Sequence, residues 1–280
     1  GVKEIADLEP VLETIKQNEP GLYPYFTQRS AIDLNYEYVY PTDFIAIRKD
    51  DTDLKAYSTY ELPEYQEHIK LMRKWYQAGY IRKDVVGSGS DTASQLGLKY
   101  GMLWGTMKPG GDIENLQKYK KEIVDIPMCD PYVPTSAPAR TLTAISRTSQ
   151  NPEKAIKLVA LLNSNKELFN LLMFGIEGTH YNKVSDNVIE PVEGSTYLLS
   201  PWMFGNQFNA YVTKGMPEDV WEETEKLNES SKYSPMWGFI FDPEPVKNQI
   251  SQCTATAKEY NFIPLGVEEP DAYYKEFIQK

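Results

Sequence analysis

Histidine and cysteine are the scarce residues of this 280-residue chain, two of each. Two histidines, His68 and His180, are too few for a typical zinc site. The cysteines, Cys129 and Cys253, stand far apart in the chain and form no Cys-x-x-Cys pair, which argues against metal or redox chemistry. A single disulfide remains open, and two unpaired small hydrophobes are the favoured reading. Positive charge is also short. Lys and Arg number 29 against 40 Asp and Glu, giving a net charge of −11 and a pI near 4.9. That balance lacks the clustered cations that grip a phosphate backbone or an anionic lipid surface, so no nucleic-acid partner is expected. No apolar run is long enough to cross a bilayer and no charged-then-apolar leader opens the sequence, so the chain as given reads as soluble. The Gly-Ser loop from Val86 to Ser90 is not followed by a Lys-Ser/Thr pair, which removes a phosphate cradle. There is no Gly-x-Ser-x-Gly elbow, and no nucleophile, base and orienter assemble in the sequence. No catalytic residue, metal or cofactor is therefore expected. Forty acidic residues leave a glycosidase-like carboxylate pair open by number alone.

What the chain does have is most legible from Ser146 to Tyr181. Asn151 reads as an N-cap with Pro152 at the first helical position. Ala155, Ile156, Val159 and Leu162 recur at helical spacing, and a buried face is expected there. Ser164 with Glu167 reads as a capping box that starts a second helix, carrying Leu168, Leu171 and Leu172 and stopping at Gly175. A Gly-bounded loop, Gly175-Ile176-Glu177-Gly178-Thr179-His180-Tyr181, comes next.

Upstream, Asp7 is expected to cap a helix to about Asn18 with Val11, Leu12 and Ile15 inward. Strands are expected within 31–48, where Tyr36, Tyr38 and Tyr40 alternate and Phe44 to Ile47 forms a β-type run, with Ala56 to Tyr60 as partner. A long helix over Pro63–Ala78 presents Tyr65, Ile69, Met72, Trp75 and Tyr76 and closes at Gly79, with His68 on its surface. Tyr100 to Leu103 is a short strand running into a Gly- and Pro-rich turn and a helix near Asp112 to Lys120. Ligands gather beyond the carboxyl ends of such strands, which makes Trp104, Thr106 and Lys108 candidates. Glu122 to Pro127 is an expected strand, and the Pro-rich stretch from Pro127 to Pro138 follows it as an extended crossing. His180–Val184 and Val188–Val192 read as a hairpin about Ser185-Asp186-Asn187.

Ser200 to Tyr211 is rich in rings yet carries adjacent amides, notably Trp202, Asn206 and Gln207. Rings stack on the C–H face of a sugar while amides meet its hydroxyls both as donor and acceptor; the competing reading is a knot of aromatics packed on the core. Helices follow from Pro217 to Glu229 and, past a Trp237-containing aromatic loop, from Pro243 to about Tyr260 with Asp242 as cap.

The run Ser149–Asn163 and Leu168–Tyr181, with its Asn-Pro-Glu-Lys-Ala and Gly-Ile-Glu-Gly-x-His-Tyr motifs, resembles the sugar-type extracellular solute-binding proteins of ABC transporters. Together with Gly-Phe-x-Phe-Asp-x-x-Pro-Val-Lys-Asn-x-Ile around Trp237 to Ile250, it resembles more closely the Gram-positive lipoproteins that share a C-terminal domain of unknown function. The resemblance implies an α/β, type II periplasmic-binding-protein-like fold with a partial two-lobe architecture and a helical C-terminal part. Residues 1–138 would be the second α/β lobe, 139–200 the crossover strand (Arg140 to Ile145) and helix pair of the other, and 201–280 the aromatic cleft segment and closing helices. It also implies that the chain is a fragment of a longer extracellular, lipid-anchored protein. The implied function is non-catalytic capture of a small solute by hinge closure, an oligosaccharide before a peptide, for ABC permease subunits; a monomer is expected. The ligand set it implies is Trp104, Thr106, Lys108, Glu177, His180, Tyr181, Trp202, Asn206, Gln207 and Trp237. A secreted carbohydrate-active enzyme using an acidic pair is the alternative.

Overall fold

The computed structural model describes residues 2, 4–27, 34–87, 99–195, 197 and 199–280. Its chain divides into two compact units. The first holds residues 1–107, 115–135 and 231–280; the second holds 108–114 and 136–230. No helix among the described residues is long and apolar enough to cross a membrane.

The first unit is organised on α2 (Pro63–Ala78), which has proline in its first turn and ends on Gly79 at φ 79°. Its apolar positions serve two cores. Tyr65 and Ile69 join Tyr36, Ala46, Tyr260 and Phe277, while Met72 and Trp75 join Leu12, Tyr25, Tyr80 and Ile81. Trp75 is fully buried and meets the Tyr25 ring edge-on at 4.8 Å, so Trp75→Ala would cost about 3–5 kcal/mol. Serving two cores also buries His68, which is 4% exposed rather than on the surface as its sequence context indicated.

Helix α1 (Glu9–Asn18) packs by Leu12. Asp7 does not cap it; its carboxylate accepts the Glu4 N–H at the start of a preceding 3₁₀ turn, and Val11 faces outward. Strand β1 (Tyr23–Tyr25) pairs in parallel with β5 (Tyr100–Met102). Strands β2 (Tyr36–Tyr38), β3 (Ile45–Arg48) and β4 (Tyr57–Ser58) form the expected antiparallel sheet, with Tyr40 outside it and exposed. Residues 31–33 of that stretch, and 88–90 of the Gly-Ser loop, lie outside the described residues. Helix α3 (Gly111–Tyr119) follows the turn after β5. The crossing segment contributes β6 (Tyr132–Val133), paired in parallel with β10 (Lys232–Tyr233).

The second unit contains helices α4 (Pro152–Ser164) and α5 (Lys166–Phe174). It also contains a three-stranded sheet of β7 (Tyr181–Lys183), β8 (Val188–Pro191) and β9 (Val212–Thr213), which includes the expected hairpin. Phe169, Met173, Phe174, Tyr181, Ile189 and Ala210 form its core. Val188, Val212 and Val220, the last from α6 (Val220–Ser230), extend it. Three expectations are corrected here. The cap between α4 and α5 is Asn165, whose side chain accepts the Leu168 N–H at 2.8 Å, because Ser164 still belongs to α4 and bonds back to Ala160. Helix α4 buries no residue; Ala155, Val159 and Leu162 are half-buried and Ile156 is exposed. Neither Glu122–Pro127 nor Arg140–Ile145 is a strand, and Val124 and Leu142 are exposed, since neither segment has a pairing partner among the described residues. Past β10, α7 (Lys247–Glu259) and α8 (Pro270–Gln279) return to the first unit. Asp242 accepts the Glu244 N–H in the 3₁₀ turn that precedes α7.

Candidate functional site

In the second unit the segment from Pro201 to Tyr211 is stitched down by backbone and amide bonds, and that fixes which side chains stay open. Asn170 on α5 is 1% exposed and uses its whole amide. Its Nδ2 donates to Lys166 O and Asn209 O, and its Oδ1 accepts the Tyr211 N–H, each at 2.8 Å. Asn209 Nδ2 donates to Asn163 O at 3.1 Å, and Trp221 Nε1 donates to Ala210 O at 2.9 Å. Phe204 packs on Phe169 with ring centres 5.5 Å apart. Gly205, at φ 151°, lets this knot press on α4: a Cβ there would lie 2.6 Å from Leu162 O. Within that frame Trp202 stands 53% exposed on a 3₁₀ turn. Asn206 spends its Oδ1 on the Phe208 N–H at 3.1 Å, capping the next 3₁₀ turn, while half-buried Gln207 opens that turn. The aromatic knot and the open ring-plus-amide surface are therefore both present, on different residues.

The loop after α5 holds three other candidates. His180 Nδ1 accepts the Ile176 N–H at 2.9 Å, so it braces its own loop, and its ring lies 4.9 Å from that of Tyr197. Gly175 permits this approach, since a Cβ there would meet Nδ1 at 2.6 Å and its φ is 80°. Tyr181 is 7% exposed among the core rings, and burial raises its phenol above the usual range. Glu177 is exposed and lies 3.8 Å from Lys183. Lys108 is paired with Glu114 at 2.6 Å.

In the first unit Thr106 is exposed beyond β5. Trp104 is half-buried against the core, and its indole N–H donates to the Tyr25 hydroxyl at 2.8 Å. Burial pushes the Tyr25 phenol up to about 12, with that indole bond pulling the other way. Trp237 is 48% exposed and meets the exposed Tyr233 ring edge-on at 4.8 Å. Open rings therefore occur in both units, Trp202 in one and Trp237 with Tyr233 in the other. Both cysteines are free and exposed, not packed as small hydrophobes. No cluster among the described residues could hold a metal ion.

Residues 235–280 match the family described as a domain of unknown function, DUF3502. The chain is 29% identical over 292 residues to the carbohydrate ABC transporter substrate-binding protein of Streptococcus pneumoniae serotype 4, covering 100% of this chain and 59% of that protein. It superimposes over its full length on the crystal structure of the N-glycan transport solute binding protein of Streptococcus pneumoniae, with a TM-score of 0.86 at 28% identity and 63% of that chain covered. The chain is thus similar, in sequence and in fold, to solute-binding proteins of ABC transporters. It spans about three-fifths of the length of these relatives. The same pneumococcal protein in complex with Man5GlcNAc matches with a TM-score of 0.81 at 29% identity. An extracellular solute-binding protein of Bifidobacterium longum subsp. infantis, at 17% identity and a TM-score of 0.51, shares the fold alone. Asn170 lies outside the residues that the sequence pattern singles out. An asparagine inside a helix, where its polar side chain competes with the backbone, is the signal that could have revealed it.

Proposed function

We propose that this chain is the greater part of the extracellular solute-binding component of an ABC importer, and that it takes up an oligosaccharide without altering it. The observation that carries this reading is the full-length match to a solute-binding protein whose crystal structures include Man1GlcNAc and Man5GlcNAc complexes. The chemistry of the open side chains in each unit agrees. Trp202 and Trp237 offer ring faces for the apolar side of a sugar, and Gln207, in the same Pro201–Tyr211 segment as Trp202, offers an amide for its hydroxyls. Lys108 and Glu177 each have an ion-pair partner, which suits a neutral polyol better than an anion. Thr106 and Glu177 add exposed polar groups, whereas Trp104, His180, Tyr181 and Asn206 shape the surface through the bonds and packing described above. Permease subunits are the proposed protein partner, with the binding component monomeric and lipid-anchored in its longer form.

The test is titration of the chain with Man5GlcNAc, followed by tryptophan emission and by analysis of the recovered sugar. A saturable change with intact sugar, weakened about tenfold or more in Trp202→Ala or Trp237→Ala, is the expected result. Cleaved sugar would place the chain among carbohydrate-active enzymes instead. An emission change that survives both substitutions would remove these two rings from the site.

A further inference from the structure

The ring pair Trp237–Tyr233 is exposed on a short segment, and a buried carboxylate two steps away holds that segment in place. Glu37 is the middle residue of β2 and is 5% exposed. The neighbouring Tyr36 belongs to the core shared with α2, so Glu37 occupies the opposite face of the strand. Two donors converge on it from the crossing segment. Tyr132 donates its hydroxyl to Oε2, and the Thr135 N–H donates to Oε1 at 2.6 Å. Lys49 Nζ lies 4.9 Å from the centre of the Tyr132 ring. The link then continues across β6 and β10. The Thr135 hydroxyl donates to Met236 O at 2.7 Å, Ser234 N–H donates to Val133 O at 3.0 Å, and Trp237 N–H donates to Ser234 O at 3.0 Å. Thr135 is the last residue of the first unit before the chain leaves it, and Ser231 the first on its return. The Glu37 side chain therefore ties the 132–135 segment to β2, and that segment in turn holds the 232–237 segment.

We propose that Glu37 is a positioning residue for saccharide binding: it fixes 132–135, and through Thr135 the 232–237 segment, so that the Trp237 and Tyr233 rings form a pre-ordered stacking surface. A carboxylate fits this task as an amide does not. It accepts at both oxygens, whereas glutamine would aim an NH2 group at one of the two donors. A ring held in place beforehand loses less freedom when a ligand stacks on it. The inference rests on the saccharide reading above, and its test separates the two.

Glu37→Ala, Glu37→Gln and Thr135→Val are compared with the native chain in two measurements. The first is acrylamide quenching of Trp237, taken as the difference between each variant and the same variant carrying Trp237→Phe. The second is affinity for Man5GlcNAc. Glu37→Ala is expected to raise Trp237 quenching and to weaken binding roughly tenfold, with Glu37→Gln recovering part of both and Thr135→Val showing a smaller loss of the same kind. Ile69→Val, a core change in the same unit, is the control for general loosening and should move neither. Quenching unchanged in both Glu37→Ala and Thr135→Val would overturn the clamp, and quenching raised with affinity intact would overturn its role in binding. No sugar binding by the native chain would overturn the saccharide reading, with the quenching result still deciding whether Glu37 orders the rings.

Discussion

Asn170→Ala removes the amide that anchors the Pro201–Tyr211 segment, and its cost can be worked from three bonds. The side chain is buried, so whatever it leaves behind is left without bulk water. Lys166 O keeps a partner, because residue 170 of helix α5 still donates its own N–H four residues back. Asn209 O and the Tyr211 N–H lose theirs. An orphaned buried polar group costs about 1–3 kcal/mol, so two orphans cost roughly 2–6 kcal/mol, and entry of one water would bring the loss toward the lower end. Against a typical total of about 5–15 kcal/mol, that is a large fraction. Urea unfolding measures the loss, and hydrogen exchange at the Tyr211 amide locates it. Asn170→Asp is the sharper companion. It keeps the acceptor for Tyr211 but sets a carboxylate beside two carbonyl oxygens, so it is expected to be no better than alanine at pH 7. It should recover as the pH falls, since the protonated carboxyl can donate to one of them. A loss below about 1 kcal/mol in Asn170→Ala, or a Tyr211 amide that exchanges no faster, would refute the anchoring argument.

Three further outcomes are expected. Gly205→Ala should destabilise the second unit by about 1–3 kcal/mol, because the added Cβ meets a backbone oxygen at 2.6 Å in a conformation that L-residues rarely adopt; an unfolding midpoint equal to that of the native chain would contradict it. His68 is held neutral by burial, its pKa lowered to about 4 from 6.5. The unfolded chain therefore takes up its proton first, and the stability present above pH 6.5 should fall by about 3 kcal/mol as the pH drops to 4; a His68→Leu variant that keeps this component of the pH slope would rule it out. Cys129 and Cys253 are both free and exposed, so a thiol reagent should titrate two groups per native chain without denaturant, and one or none would show that a thiol is covered or paired.

The parts of the fold that could be read from sequence are those whose cause is local. Pro63 and Gly79 delimit α2, and the turn at 185–187 returns β7 onto β8, because these residues restrict their own backbone. The boundary between α4 and α5 moved by one residue for the same kind of reason: Ser164 and Asn165 both cap well, and the asparagine takes the role while the serine bonds back into its own helix. What local pattern does not carry is the identity of the neighbour. Period 3.6 tells which residues of α4 share a face, but not what lies against them, and that face is half-exposed. The strands expected at 122–127 and 140–145 fail for a related reason, since a strand exists only where a partner supplies the other half of its ladder. His68 shows the opposite case, a polar residue buried because α2 packs against two cores at once.

The site divides along the same line. A run such as Trp202 to Gln207 announces rings and amides together, which narrows the ligand class, but the division of labour among its members depends on contacts far away in sequence. Phe204 goes to Phe169, Asn206 to its own turn, and Trp202 to solvent. Nothing in the run itself distinguishes the three. Asn170 and Glu37 carry the point further. Each is a polar residue within an apolar element, and each is buried because its donors or acceptors come from segments roughly 40 and 95 residues later. In sequence such residues look like interruptions of a pattern. In the fold they are where a surface loop is tied to the core, and so they are the positions at which a substitution remote from any ligand should change how well the exposed rings are held.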